Sequence, residues 1–285
     1  MTNKISLIMP TIGNRDVEIV KFLTSLSRQN YQNYELIIVD QSSNSNLEKI
    51  LCNFKDKIAK IHYVKSNSVG ASRARNEGLK YSRGDIVAFP DDDCEYADNV
   101  LEVIAKIFTT TNYDVITGKH VDKWPQIFSK KLSFLPLNIY NIWWYGIEFV
   151  IFLRKKVVDT VGLFDEDLGV GSGTSLGSGE GTDYLLRIIN YNVNEFKLAN
   201  CSAIVIKHEK VDFDKPDINK KAFKYSIGRR YLLDKYNYSF FFVLLNIWYP
   251  VLKLVINIYD FKKVKYYWYQ FLGRLKFFRN VELFK

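Results

Sequence analysis

Four short apolar runs mark the first third of the chain: residues 5–9 (ISLIM), 35–39 (ELIIV), 61–64 (IHYV) and 86–89 (IVAF). They are rich in β-branched residues. Between them, stretches 16–28, 46–57 and 71–82 space their apolar positions as helices do. Strand and helix alternating in this way predict an α/β fold with a mostly parallel sheet covered on both faces. A helix is expected over 97–108 and a strand over 113–117. Residues 119–160 show no clear period. Residues 169–181 carry six glycines in thirteen positions. That density predicts an unusual or mobile backbone. The run lacks the Gly-Lys-Ser/Thr ending of a phosphate-binding Walker loop. A helix is expected from about Thr182.

The last quarter reads differently. From Ser239 to Tyr259 it is nearly all apolar, about the length needed to span a bilayer, but Asn246, Pro250, Lys253 and Asn257 interrupt it. Composition sharpens the contrast. Of the 44 aromatic residues, 20 lie between Lys220 and Lys285, together with 14 Lys/Arg against 3 Asp/Glu. The chain's net charge is +9, so the body before Lys220 carries −2. Interrupted apolar stretches with aromatic and basic residues suit helices lying in a membrane interface, on anionic headgroups. The alternative is a helical subdomain packed on the body. A nucleic-acid partner is not expected, because it would set a negative body against a polyanion. The expected domains are 1–221, split into halves 1–120 and 121–221, and a helical membrane-associating region 222–285. Three cysteines without metal spacing fit a reducing compartment. The first residues hold too short an apolar stretch for a signal peptide. The expected location is cytoplasmic, peripheral on the inner face of the cell membrane.

In an open α/β sheet, ligands bind beyond the carboxyl ends of the strands. Three such ends carry polar residues: Pro10-Thr11, Asp40, and Asp91-Asp92-Asp93. Three adjacent carboxylates repel unless a cation sits on them. Strand alternation would turn Asp91 and Asp93 to one face, as a hard-oxygen site for Mg²⁺ or Mn²⁺. Asp92 would turn away, to bond local backbone or a ribose. Asp40 suits a base N–H or a ribose hydroxyl, or else a simple turn. Gly70 opens a helix whose Arg73 and Arg75 lie on different faces, so one of them reaches the crevice. Asp183 and Arg187 are spaced for a helix ion pair. His208 closes an apolar run, a place that serves structure as readily as chemistry.

Pro10-Thr11, the acid in Ile38-Val39-Asp40, Gly70 to Gly78 with Ala74-Arg75-Asn76 inside, and Asp91–Asp93 resemble, in order and spacing, the family 2 glycosyltransferases of the glycosyltransferase A fold. The likeness runs over roughly residues 4–120. Gly179-Glu180-Gly181-Thr182-Asp183-Tyr184-Leu185-Leu186-Arg187 resembles the family's later acidic motif. The resemblance implies a Rossmann-like nucleotide-binding sheet and inverting transfer from a nucleotide-sugar, usually a UDP-sugar. The acceptor would be a saccharide hydroxyl, lipid-linked given the tail, in bacterial surface-polysaccharide synthesis. It also implies that Asp40 contacts the uracil, that Arg75 lies near the nucleotide, and that Asp91 and Asp93, a DXD motif, hold the ribose-diphosphate through Mn²⁺ or Mg²⁺. His208 would complete the metal site. Gly181 departs from the pattern, standing where the family often has an acid. The catalytic base is then Glu180 or Asp183. The competing reading is a non-catalytic nucleotide-sugar-binding module that needs no base.

Overall fold

The computed structural model describes residues 3–126, 131–191 and 195–276. The chain divides into two compact units: residues 1–164 with 181–210, and 165–180 with 211–285.

The first unit holds the whole sheet. Its opening is a repeated strand-helix alternation: β1 (Ile5–Thr11), α1 (Asp16–Ser27), β2 (Tyr34–Asp40), α2 (Asn46–Cys52), β3 (Ile61–Lys65), α3 (Ala71–Leu79) and β4 (Ile86–Ala88). The strands stand in the order β3-β2-β1-β4, all parallel. Every residue of β1 and β2 is buried, as expected of strands covered on both faces. The apolar sides of α1 (Ile19, Phe22, Leu23, Leu26) and of the sheet (Leu7, Met9, Leu36, Ile38) meet in one core. The rest of the sheet is mixed. After β5 (Cys94–Tyr96) and α4 (Val100–Thr110) come β6 (Val115–Val121), β7 (Phe134–Pro136), α5 (Ile142–Tyr145), β8 (Ile151–Arg154), α6 (Lys155–Val161), α7 (Glu180–Tyr191) and β9 (Leu198–His208). Strand β8 runs antiparallel between β4 and β6, while β9 runs parallel to β6 and pairs antiparallel with β5 and β7. The longest pairings remain parallel. The aperiodic stretch 119–160 thus contains short elements, each too brief to show a period.

The second unit is built from α8 (Ile218–Lys235), α9 (Phe240–Ile256) and α10 (Phe261–Arg274), with loop 165–180. The expected boundary between 221 and 222 falls inside α8. Residues 277–285 of the expected tail lie outside the described residues. The polar breaks in the apolar stretch have a packing reason. Asn246 and Pro250 are the buried residues of α9. Arg229 Nε donates to Asn246 Oδ1 at 2.9 Å, and the Arg274 guanidinium donates to the Asn246 carbonyl. Burial depresses both arginines, Arg229 to about 10 and Arg274 to about 9. Much of the apolar surface of α9 is left outside: Phe241, Leu245, Trp248, Leu252 and Val255 are all exposed. An ordinary surface helix does the reverse. Among the described residues, no helix is long and apolar enough to cross a membrane.

Candidate active site

Adjacent strands β1 and β2 end in register, with Thr11 opposite Asp40. Asp40 is fully buried. A carboxylate in that position must be hydrogen-bonded. Its Oδ1 accepts from the Ser42 N–H at 2.8 Å, and its Oδ2 accepts from Tyr63 Oη at 2.7 Å and Lys65 Nζ at 2.8 Å. Burial works against the anion, but Lys65, Ser42 and Tyr63 outweigh it and hold the carboxyl below its ordinary value. Register supplies those partners, since β3 lies beside β2 with Lys65 opposite Asp40. Gln41 ties the same strand end to the start of α3, its Nε2 donating to the carbonyls of Ser68 (2.7 Å) and Gly70 (3.1 Å).

Helix α3 then brings Arg75 inward. Arg75 is buried, and its Nη2 donates to Asp91 Oδ1 at 2.8 Å, with the Phe164 ring under the guanidinium at 5.8 Å. Arg73 takes the other face and donates to the Val69 carbonyl. Asn76 fixes the helix by exchanging two hydrogen bonds with the Phe164 backbone.

The three aspartates do not extend a strand. They form the turn between β4 and β5, so strand alternation is not what orients them. Asp91 and Asp93 nevertheless converge, on His208: one ligand atom from each of the three lies within 4.8 Å of the others. Asp93 Oδ2 accepts from Arg15 Nη1 at 2.5 Å, and Asp93 Oδ1 stands 3.2 Å from His208 Nε2. The His208 ring is stacked on Phe149, 4.6 Å between centroids and 1° from parallel. Its Nδ1 lies 2.8 Å from the Glu209 carbonyl. That contact leaves Nε2 as the free ligand atom when the ring is neutral. Burial lowers the His208 value, but Asp93 outweighs it and the net shift is upward; Asp93 is correspondingly held down against its burial.

Asp92 differs from its neighbours. It is buried, and instead of local backbone it binds two side chains: Thr11 Oγ1 donates to Oδ2 at 2.6 Å and Arg15 Nη1 to Oδ1 at 2.9 Å. Burial, with the charges of Asp93 and Asp91, pushes it above the ordinary carboxylate value. Arg15, which the sequence reading passed over, bridges Asp92 and Asp93.

A divalent cation fits this set. Asp93 Oδ1 is buried without a hydrogen bond of good geometry, and two carboxylates with one imidazole make a donor set suited to Mn²⁺ or Mg²⁺. The three aspartates of the turn carry three negative charges against the two positive charges of Arg15 and Arg75.

At the start of α7, Gly181 has a reason to lack a side chain. A Cβ there would lie 2.7 Å from Glu148 Oε1, which accepts the Gly181 N–H. The Glu148 carboxylate thus occupies the space a side chain at 181 would need. Asp183 is fully buried, and its Oδ2 accepts from Arg187 Nε at 3.0 Å. Arg187 also donates to the carbonyls of Val161 and Leu163. Glu180 belongs to the second unit. Its carboxylate lies against Gly169, whose φ of +99° and close approach both exclude a side chain; a Cβ at 169 would sit 2.5 Å from Glu180 Oε1.

Residues 6–159 match the sequence model of the family described as glycosyl transferase family 2. The chain is 31% identical over 165 residues to the poly(ribitol-phosphate) beta-N-acetylglucosaminyltransferase TarP of Staphylococcus aureus, covering 55% of this chain and 50% of TarP. It is 31% identical over 116 residues to the UDP-Glc:alpha-D-GlcNAc-diphosphoundecaprenol beta-1,3-glucosyltransferase WfgD of Escherichia coli, covering 41% of this chain and 45% of WfgD. The matches thus span about half the length of these curated relatives. Among solved structures, S. aureus TarS 1-349 in complex with UDP superimposes with a TM-score of 0.57 at 17% identity, over 97% of this chain and 93% of that one. The mannosyltransferase PcManGT from Pyrobaculum calidifontis, in complex with GDP-Man and Mn²⁺, gives 0.68 at 12% identity, over 96% and 86%. These likenesses establish the fold.

Proposed function

This chain belongs to glycosyl transferase family 2, and on that premise we propose that it transfers a sugar, with inversion, from a UDP-sugar to a hydroxyl of a lipid-linked saccharide in surface-polysaccharide synthesis. The observation that carries this reading is the convergence of Asp91, Asp93 and His208 beyond β4, with Thr11 and Asp40 ending the neighbouring strands. Incubation with a panel of nucleotide-sugars and Mn²⁺, scored by nucleoside diphosphate release, tests it. Release from no donor would leave the binding-module reading.

The residues take distinct roles. Asp40, held anionic by Lys65 and Tyr63, accepts from the uracil N–H or a ribose hydroxyl. Arg75, through Asp91, fixes the aspartate turn beside the nucleotide. Asp91, Asp93 and His208 hold a divalent cation, which when bound stabilises negative charge on the departing diphosphate. Arg15, Thr11 and Asp92 brace that turn from behind. In a single displacement the acceptor oxygen attacks the anomeric carbon opposite the diphosphate, the bond to the diphosphate breaks, and the acceptor proton passes to a base. Glu180 is assigned that base, while Asp183, paired with Arg187, holds the helix.

Asp40→Asn keeps the shape and removes the charge. UDP affinity should fall about tenfold or more, equivalent to about 1.4 kcal/mol, while Mn²⁺-pyrophosphate binding should not change. Calorimetric titration with both ligands measures this. Equal losses for both would refute a role at the base or ribose.

The outward apolar face of α9 supports a membrane surface as the place of work. Its buried residues are Asn246 and Pro250, while Phe241, Leu245, Trp248, Leu252 and Val255 are exposed, and exposed Lys265 of α10 offers positive charge. Burial of two leucines in acyl chains is worth several kcal/mol, whereas headgroup attraction is screened by salt. Full-length protein should sediment with phosphatidylglycerol vesicles and be released only in part by high salt. The double variant Leu245→Asp, Leu252→Asp should be released fully. Truncation at 221 is a poor test, because it cuts α8 and removes most of the second unit. Sedimentation of the double variant like wild type in high salt would refute the assignment.

A further inference from the structure

The second unit contains a cavity of about 530 Å³ that the nucleotide reading does not use. Its floor is one stripe of α8. Lys220, Lys221, Lys224 and Tyr225 fall at helical spacing on that stripe, with Asp217 just before the helix begins, and all five line the cavity. Its roof is the glycine-rich loop from Gly169 to Thr174. The loop is pinned to the same helix at its far end: the Gly177 N–H donates to the Lys224 carbonyl at 3.3 Å, and Ser178 Oγ to the Tyr225 carbonyl at 2.9 Å. Three lysines and one aspartate thus line the same floor. Among the described residues neither Lys220 nor Lys224 is paired with an acid, whereas Lys221 Nζ lies over the Tyr225 ring at 5.1 Å.

A solvated lysine face is common on helices. This one is distinguished by the loop closed over it and by what the loop touches next. Gly169, at the cavity wall, is in contact with the Glu180 carboxylate. The cavity and the assigned base are therefore neighbours within one unit.

We infer that this cavity is the acceptor subsite and that it takes an anionic acceptor, a saccharide or polyol chain bearing phosphate. Lysine ammonium groups bind phosphate as point charges. Tyr225 and Val170 offer apolar surface to the carbon-bearing face of a sugar or polyol. A neutral acceptor would gain nothing from the charges of Lys220 and Lys224. The inference rests on the proposed transferase reading and adds to it the charge of the acceptor.

The phosphate recognised could also be that of a nucleotide or of a lipid headgroup, so the test separates the three. Full-length wild type, the double variant Lys220→Gln, Lys224→Gln, and the control Lys106→Gln on α4 are titrated with a poly(ribitol-phosphate) oligomer. Each is also titrated with a neutral oligosaccharide of equal length, with UDP and Mn²⁺, and with phosphatidylglycerol vesicles. The expected result is binding of the phosphate oligomer by wild type and control, weakened at least tenfold in the double variant and by raised salt. UDP and vesicle binding should be unchanged. Equal binding of the oligomer by the double variant overturns the inference, as does neutral oligosaccharide binding as tight as the phosphate oligomer. Loss of UDP affinity in the double variant overturns it in favour of a nucleotide site, and loss of vesicle binding alone in favour of a headgroup site. Wild type that binds UDP but not the oligomer overturns the acceptor assignment and leaves the donor reading standing. Wild type that binds no nucleotide overturns both.

Discussion

Asp93→Ala should abolish the rise in melting temperature that UDP and Mn²⁺ together give the wild-type protein. Asp93 stands between Arg15 and the candidate ligand His208. One oxygen accepts from Arg15 and the other faces His208. Removing it takes one ligand from a three-residue set and leaves Asp91 and His208 with no carboxylate between them. Charge stabilisation by a metal is worth several kcal/mol, so turnover should fall by about 10²–10³-fold. Asp92→Asn is the contrast. Asp92 is spent on Thr11 and Arg15, so its loss should lower the melting temperature of the ligand-free protein while leaving a metal-dependent UDP response. An Asp93→Ala protein that responds to UDP and Mn²⁺ as wild type does would remove the aspartate turn from the donor site.

Most of the first half of the fold was legible because its signals are local. Each strand of β1 to β3 is a short, mostly apolar run, and each helix between them carries its own period. The convergence of Thr11, Asp40 and the aspartates then follows from sheet chemistry alone. The aspartate turn shows the limit of local reading. Asp91 and Asp93 do meet, but in a turn whose geometry is set by Arg75 and Arg15, partners 16 and 78 positions away in sequence. Arg15 was overlooked because a lone arginine after Gly13-Asn14 carries no pattern. Tyr63 and Lys65 alternate on β3, but recognising them as the cradle of Asp40 requires knowing that β3 pairs with β2 in that register. Phe149 could not be connected with His208 at all, since the stretch that holds it has no period. In the tail the sequence showed polar residues in an apolar helix. It could not show that Asn246 and Pro250 face inward, because that depends on Arg229 and Arg274 arriving from other helices.

Glu180→Gln should bind donor as wild type does and turn over about 10²-fold more slowly or worse, the usual consequence of removing a general base while keeping its shape. Three acids gather around the start of α7, and their surroundings separate their roles. Asp183 is fully buried and spent on Arg187, which in turn holds two backbone carbonyls. Asp183→Asn should therefore lower the melting temperature, with turnover of the folded protein little changed. Glu148 accepts the Gly181 N–H and fills the space that a side chain at 181 would need. Its charge sits at a helix N-terminus, where a carboxylate is stabilised. Glu148→Gln keeps an acceptor for that N–H and should cost little. Glu180 is also buried, but it lies against Gly169, on the loop that roofs the lysine-lined cavity. Single-turnover kinetics of the three variants, each with its melting curve and UDP affinity, separate loss of chemistry from loss of fold. Normal turnover in Glu180→Gln beside a large fall in Glu148→Gln would move the base to the acid that takes the place of a side chain at 181. A large fall in Asp183→Asn with an unchanged melting curve would move it to Asp183.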